Sequence, residues 1–250
     1  IKVTDLVFVI APRINAAGRM DQGLSAVELL MSDNLELALP KARSIDFFNT
    51  ERRSTDERIT VEALQQIVLN EETTCFSTVV FHPSWHKGVI GIVASRLIET
   101  YYRPTVVLTE SEGVLSGSVR SVSGFDVYQA LEACSEFMIQ FGGHKYAAGL
   151  TLKPEQLTGF KQCFEAYAEA HLLPEQLQPT YSYDLELQFD ALTPKLYRII
   201  NQMAPFGPKN MRPVFVTHLC KDAGGTRAVG KENNHLKLEI IDAAGIPFQG

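Results

Sequence analysis

The chain has 250 residues, is 45% hydrophobic and 21% charged, and carries a formal net charge of −6. This is the composition of an ordinary soluble globular protein with room for two small domains. No apolar run approaches the roughly 18 residues of a membrane span, and no basic-then-apolar leader opens the chain.

In chain order, "DLVFVI" (5–10) reads as a short buried strand ended by Pro12. From Ser25, the apolar positions Val27, Leu30, Met31, Leu35 and Leu39 predict a helix that breaks near Pro40. Residues 41–70 place Ile45, Phe48, Ile59, Leu64, Ile67 and Val68 amid dense charge, the pattern of a long, half-exposed helix able to bridge two domains.

The chain then alternates. Strands are expected at 76–82, 104–110, 114–121 and 147–153, and helices at 88–102, 126–141 and 154–172, the last with Pro154 in its first turn. Short loops between such elements predict an α/β domain of roughly 100 residues. After Pro174 the texture changes to short strands at 180–189, 213–220, 226–230 and 235–242 and a closing "IPFQG", with one small helix at 195–204. Antiparallel strands of this kind suggest a small β-barrel, for which the oligonucleotide-binding fold is one architecture.

Charge is unevenly spread. Residues 195–237 hold Lys195, Arg198, Lys209, Arg212, Lys221, Arg227, Lys231 and Lys237 against only Asp222 and Glu232, whereas the preceding body is acidic. A basic stretch on an acidic body is the footprint of a polyanion site, although a solvated basic face reads the same way. The four cysteines (Cys75, Cys134, Cys163, Cys220) form no Cys-x-x-Cys pair. That pattern points to reduced thiols in the cytoplasm and away from a zinc site. The start at Ile1 and the end at "GIPFQG" read as the limits of a piece cut from a longer chain.

Four segments place glycine or another small residue beside a potential anion binder. "APRINAAGRMD" carries Arg13 and Arg19, and "SWHKGVIGIVASR" sets His86 and Gly88 before a helix N-terminus. "SGSVRS" surrounds Arg120 with Ser118 and Ser121, and "QFGGHKYAAGL" brings Gly142 and Gly143 before His144. The last segment fits a tight turn between packed elements as well as a phosphate cradle. Arg120 suits a phosphate through its planar fork, and would equally pair with a carboxylate. Each segment supplies donors and none gathers carboxylates, so together they favour a phosphate-binding surface over a metal-hydrolysis centre.

In order and spacing these segments, with "PFGPKNMRPVF", resemble the RecJ family of single-strand-specific DNA exonucleases in the DHH phosphoesterase superfamily. The resemblance implies the end of a catalytic DHH domain at 1–24, a connecting helix at 25–70, a DHH-associated substrate-binding domain with a central mixed sheet at 71–173, and a truncated oligonucleotide-binding barrel at 175–250. The family's Asp-His-His motif, which binds Mn²⁺ or Mg²⁺, is absent from this sequence, which has no His-His pair. The expected role is therefore the DNA-gripping part of a 5′-to-3′ exonuclease of recombination and repair, inactive by itself. By the same resemblance Ser118 and Arg120 hold the terminal 5′ phosphate, with Ser121, Gly142, Gly143, His144, His86, Gly88, Arg13 and Arg19 around the strand. Lys209, Arg212, Lys231 and Lys237 would grip it in the barrel. Single-stranded DNA is the implied partner, with a helicase and a single-strand-binding protein as further candidates. Two alternatives remain: a DHH-type nucleotidase or oligoribonuclease acting on short substrates, and a non-catalytic single-strand-binding module.

Overall fold

The described residues between 3 and 69 are mostly helical. A helical turn α1 (Val3–Asp5) runs through a wide π-turn (Leu6–Ile10) into α2 (Ala11–Arg19), followed by α3 (Gly23–Leu30) and the 35-residue α4 (Leu35–Leu69). The strand expected at 5–10 is therefore helical, and Leu6, Val7, Phe8 and Val9 are exposed rather than buried. A short apolar run cannot by itself distinguish strand from helix. Pro12 does not end an element; it sits in the first turn of α2, just after the π-turn.

Asn34 caps α4, its side chain accepting from the Glu36 N–H at 2.8 Å. The expected break at Pro40 is not present, because α4 runs through it. One lost helical bond near a capped end is outweighed by the long uninterrupted run beyond. The early half of α4 packs on α2 and α3 through Ala17, Ala26 and Ile45. Its later half presents Ile59, Ala63 and Ile67 to the next layer.

The computed structural model describes every residue except 1–2, 21–22, 208, 231–232 and 250. It divides into two units, residues 1–179 and 180–250. In the first, five strands form one mixed sheet: β1 (Thr78–Phe81), β2 (Thr105–Ser111), β3 (Val114–Arg120), β4 (Gln140–His144) and β5 (Ala147–Leu152), in the order β1-β2-β3-β5-β4. Only β1 and β2 pair in parallel. One face carries α6 (Val127–Ala133) and α7 (Leu157–His171) over a core that includes Leu115, Val119, Leu150, Leu152, Phe160 and Phe164. The other carries α5 (Ile90–Thr100), whose Val93 and Leu97 lie between the sheet and α4.

The helix expected over 126–141 is shorter than anticipated. It stops at Ala133, a 3₁₀ turn follows at Ser135–Phe137, and Gln140–His144 becomes the edge strand β4. Pairing with β5 overrides the helical reading. At the opposite edge, Gln66 of α4 holds β1 like a neighbouring strand, donating to the Phe81 carbonyl at 3.0 Å and accepting its N–H at 3.1 Å.

The second unit consists of short pieces. β6 (Leu185–Glu186) pairs in parallel with β7 (Phe215–Val216), β8 (Lys221–Asp222) and β12 (Pro247–Gln249) flank β11 (Glu239–Ile241), and β9 (Arg227–Val229) pairs with β10 (His235–Lys237). α8 (Pro194–Gln202) is the expected small helix. No barrel closes among the described residues, and the β6–β7 pair departs from the antiparallel expectation. Asp242 is the one buried residue described in this unit. Its carboxylate accepts the N–H groups of Phe189, Ala244 and Ile246, tying its own turn to the Phe189 segment.

Candidate nucleic-acid interface

Strand alternation gathers the sequence motifs. Along β3, Leu115 and Val119 enter the core, so Ser116, Ser118 and Arg120 share the opposite face. The register then aligns three rows across β3, β5 and β4: Ser116–Thr151–Gln140, Ser118–Gly149–Gly142 and Arg120–Ala147–His144. Two segments separated by a helix in the sequence thus form one polar patch, its rows about 7 Å apart by the rise of a strand. "SGSVR" lies within the strand expected at 114–121, and Gly117 belongs to the other face, where an added Cβ would meet Leu108 at 2.8 Å.

The adjacent glycines have different roles. Gly143 has φ +151°, and a Cβ there would run into the backbone of Ala147 and Ala148 on β5. It lets the strands approach. Gly142 faces open space, with nothing within 4 Å of an added Cβ. His144 is exposed, and its ring is hydrogen-bonded to no protein group among the described residues.

Arg120 is half-buried between β3 and α5. Its Nη1 donates to the Val119 carbonyl at 2.8 Å and to Ser118 Oγ at 3.2 Å. No ion pair forms at Arg120, Arg19 or Lys87 among the described residues. Burial, and next the charge of Arg19, push the Arg120 guanidinium below its ordinary pKa. Two arginines that repel one another, with no carboxylate paired to either among the described residues, make a site for an anion.

Arg19 closes α2 and donates to the Gly88 carbonyl at 3.1 Å, and a Cβ on Gly88 would strike the Arg19 carbonyl. Gly88 is therefore the point at which α2 meets the entry to α5. His86 Nδ1 accepts the Gly88 N–H at 3.1 Å, leaving Nε2 outward. The N-terminal end of α5 adds its own positive dipole.

Other sequence candidates are engaged elsewhere. Arg13 pairs with Asp46 at 2.8 Å and with the Val9 carbonyl. The Ser121 hydroxyl donates to the Phe125 carbonyl at 2.9 Å. In the second unit, Lys209 is exposed with φ +68°, and Arg212 lies 5.2 Å over the Phe206 ring. Lys237 on β10 stands directly opposite Arg227 on β9, a like-charge pair that costs stability unless an anion lies across it. Lys231 lies outside the described residues. Sequence reasoning missed Gly91, Gln140 and Thr151; the period of two along β3, β4 and β5 was the signal that could have found the last two.

Among the described residues no cluster of three or more His, Cys, Asp or Glu is placed to hold a metal. The patch itself is cationic, and its donor set does not fit a divalent ion. No helix among these residues is long and apolar enough to cross a membrane.

Two family models match the chain, the DHHA1 domain at residues 72–170 and the RecJ OB domain at 183–249. The single-stranded-DNA-specific exonuclease RecJ of Bacillus subtilis is 35% identical over 93% of this chain and 30% of its own length. That of Escherichia coli is 32% identical over 98% of the chain and 43% of its own length. The chain thus spans less than half of these relatives. Among solved structures, RecJ from Thermus thermophilus in complex with Mn²⁺ aligns over 100% of this chain and 36% of its own, with a TM-score of 0.81 and 28% identity. Its Mg²⁺ complex aligns with a TM-score of 0.77 and 29% identity, over 95% of this chain and 36% of its own.

Proposed function

This chain belongs to the RecJ family, and from that premise we propose that it is the strand-gripping part of a 5′-to-3′ single-strand-specific DNA exonuclease. The observation that carries the reading is the alignment of Arg120, Ser118 and His144 on one sheet face, with Arg19 of α2 near enough to act on Arg120 and no carboxylate paired to either arginine among the described residues. A phosphate there receives the Arg120 fork, the Ser118 hydroxyl and the His144 ring. Gly142 leaves its side-chain space open to the strand. The reaction would need a divalent ion, Mn²⁺ or Mg²⁺, held by residues other than those of this patch. Arg227 and Lys237, with Lys209 and Arg212, would hold the strand's more distant phosphates. The proposed setting is cytoplasmic, on strands supplied by a helicase and covered by a single-strand-binding protein.

The chain should bind a 5′-phosphorylated single strand more tightly than a duplex of the same sequence at matched salt, and release no nucleotide from either in Mn²⁺ or Mg²⁺. Equal affinity for the two, or hydrolysis above an inert control, would contradict the reading.

A further inference from the structure

We propose that the cleft beside the Arg120 patch receives the sugar and base of the nucleotide whose phosphate the patch holds, with Ser116, Thr151 and Gln140 as its contact row; this rests on the phosphate reading of the patch. The cleft has a volume of about 420 Å³, is open on one side, and is lined by Lys87, Ser116, Gln140, Gly142, Gly149 and Thr151 among others.

Three observations indicate a ligand. Ser116 lines the cleft with a hydroxyl that bonds to no protein group among the described residues. A hydroxyl on a cleft wall that is unused by the protein is free to donate to or accept from what enters. Gln140 Nε2 reaches Thr151 Oγ1 at 3.5 Å, a contact that turns the carboxamide along the face and leaves Oε1 and one N–H unused. Gly142 and Gly149 pair in the middle row. With neither carrying a side chain, bare backbone is left on which a flat ring can lie.

The chemistry selects the occupant. A second phosphate would require donors and positive charge, but among the described residues Lys87 is the one cationic side chain lining the cleft and it lies exposed. Two hydroxyls and a carboxamide each donate and accept, which matches the mixed edge of a base or the oxygens of a sugar. The row lies beside the Ser118–Gly149–Gly142 row, two residues along each strand from it and four from the Arg120 row.

The test is a titration of the 250-residue chain with inorganic phosphate, 2-deoxyribose 5-phosphate and each deoxynucleoside 5′-monophosphate, followed by protein NMR. Nucleotides should bind about tenfold more tightly than the sugar phosphate and shift the Gln140 side-chain amide and the Ser116 and Thr151 backbone signals. Inorganic phosphate should shift Ser118, Arg120 and His144 alone. Gln140→Ala and, separately, Thr151→Val should reduce nucleotide affinity to that of the sugar phosphate while leaving inorganic phosphate unaffected. Equal affinity for nucleotide and sugar phosphate, or nucleotide binding unchanged in both variants, overturns the subsite while the phosphate reading stands. Silence at Arg120 with every probe overturns the phosphate reading and the subsite with it.

Discussion

Gly91 of α5 lies against Arg120: a Cβ added there would stand 3.0 Å from Arg120 Nη2 and 2.9 Å from Ser118 Oγ. The helix is thus bare where it meets the guanidinium. In an ordinary helix interior, Gly→Ala stabilises by about 0.5–1 kcal/mol. Gly91→Ala should lose that gain by displacing Arg120, leaving the melting temperature nearly unchanged while affinity for a 5′-phosphorylated single strand falls several-fold. A clear stabilisation with undiminished binding would show that the contact is incidental.

The paired glycines of β4 should separate experimentally. Gly143→Ala forces a side chain into the β5 backbone at φ +151°, and should destabilise the fold by more than about 1 kcal/mol. Gly142→Ala meets no protein atom within 4 Å, so it should melt like the parent and lose strand affinity. Paired thermal melts and fluorescence-anisotropy titrations decide this, and a destabilised Gly142→Ala would count against the assignment.

Asp242 should make the second unit acid-sensitive. Burial works to raise its pKa, but the N–H groups of Ile246, Phe189, Ala244 and Gly245 outweigh burial and hold the carboxyl below its ordinary value of 3.8. The folded value is depressed, so the contribution is complete above the ordinary value and disappears as pH falls through the folded one. Amide exchange at Phe189, Ala244 and Ile246 should quicken over that acidic window. In Asp242→Asn, exchange should already be fast near neutrality and should lose this pH dependence.

Much of this was readable in the sequence, because "VLSGSVR" and "AAGLTL" alternate as β3 and β5 do. Alternation does not reveal neighbours. β5 enters between β3 and β4, and that sheet order is what aligns His144 with Arg120 through Ala147. Arg19 reaches Gly88 across 69 positions, a contact that no local pattern encodes. The errors at Leu6–Ile10 and at Gln140 and Phe141 share a cause: short segments take the form their neighbours offer.

In the second unit, charge should act through phosphates. Reversing Lys209 and Lys237 together should weaken single-strand binding and flatten the plot of log affinity against log salt by about one to two units of slope. Anisotropy titrations over a salt series measure it, and an unchanged slope would make these lysines solvated surface.

The most direct test is the dependence of Arg120 on the terminal phosphate. Parent chain, Arg120→Ala and Arg120→Lys would each be titrated with a 5′-phosphorylated single strand and with its 5′-hydroxyl counterpart. Charge-assisted hydrogen bonds contribute roughly 1.5–3 kcal/mol each, so the parent should prefer the phosphorylated strand by on the order of ten- to a hundredfold. Arg120→Ala should erase most of that preference with little change in melting temperature. Arg120→Lys should restore only part of it, because an ammonium lacks the bidentate fork. An equal loss on both strands, or a collapse of stability, would contradict the account and make Arg120 a structural residue between β3 and α5.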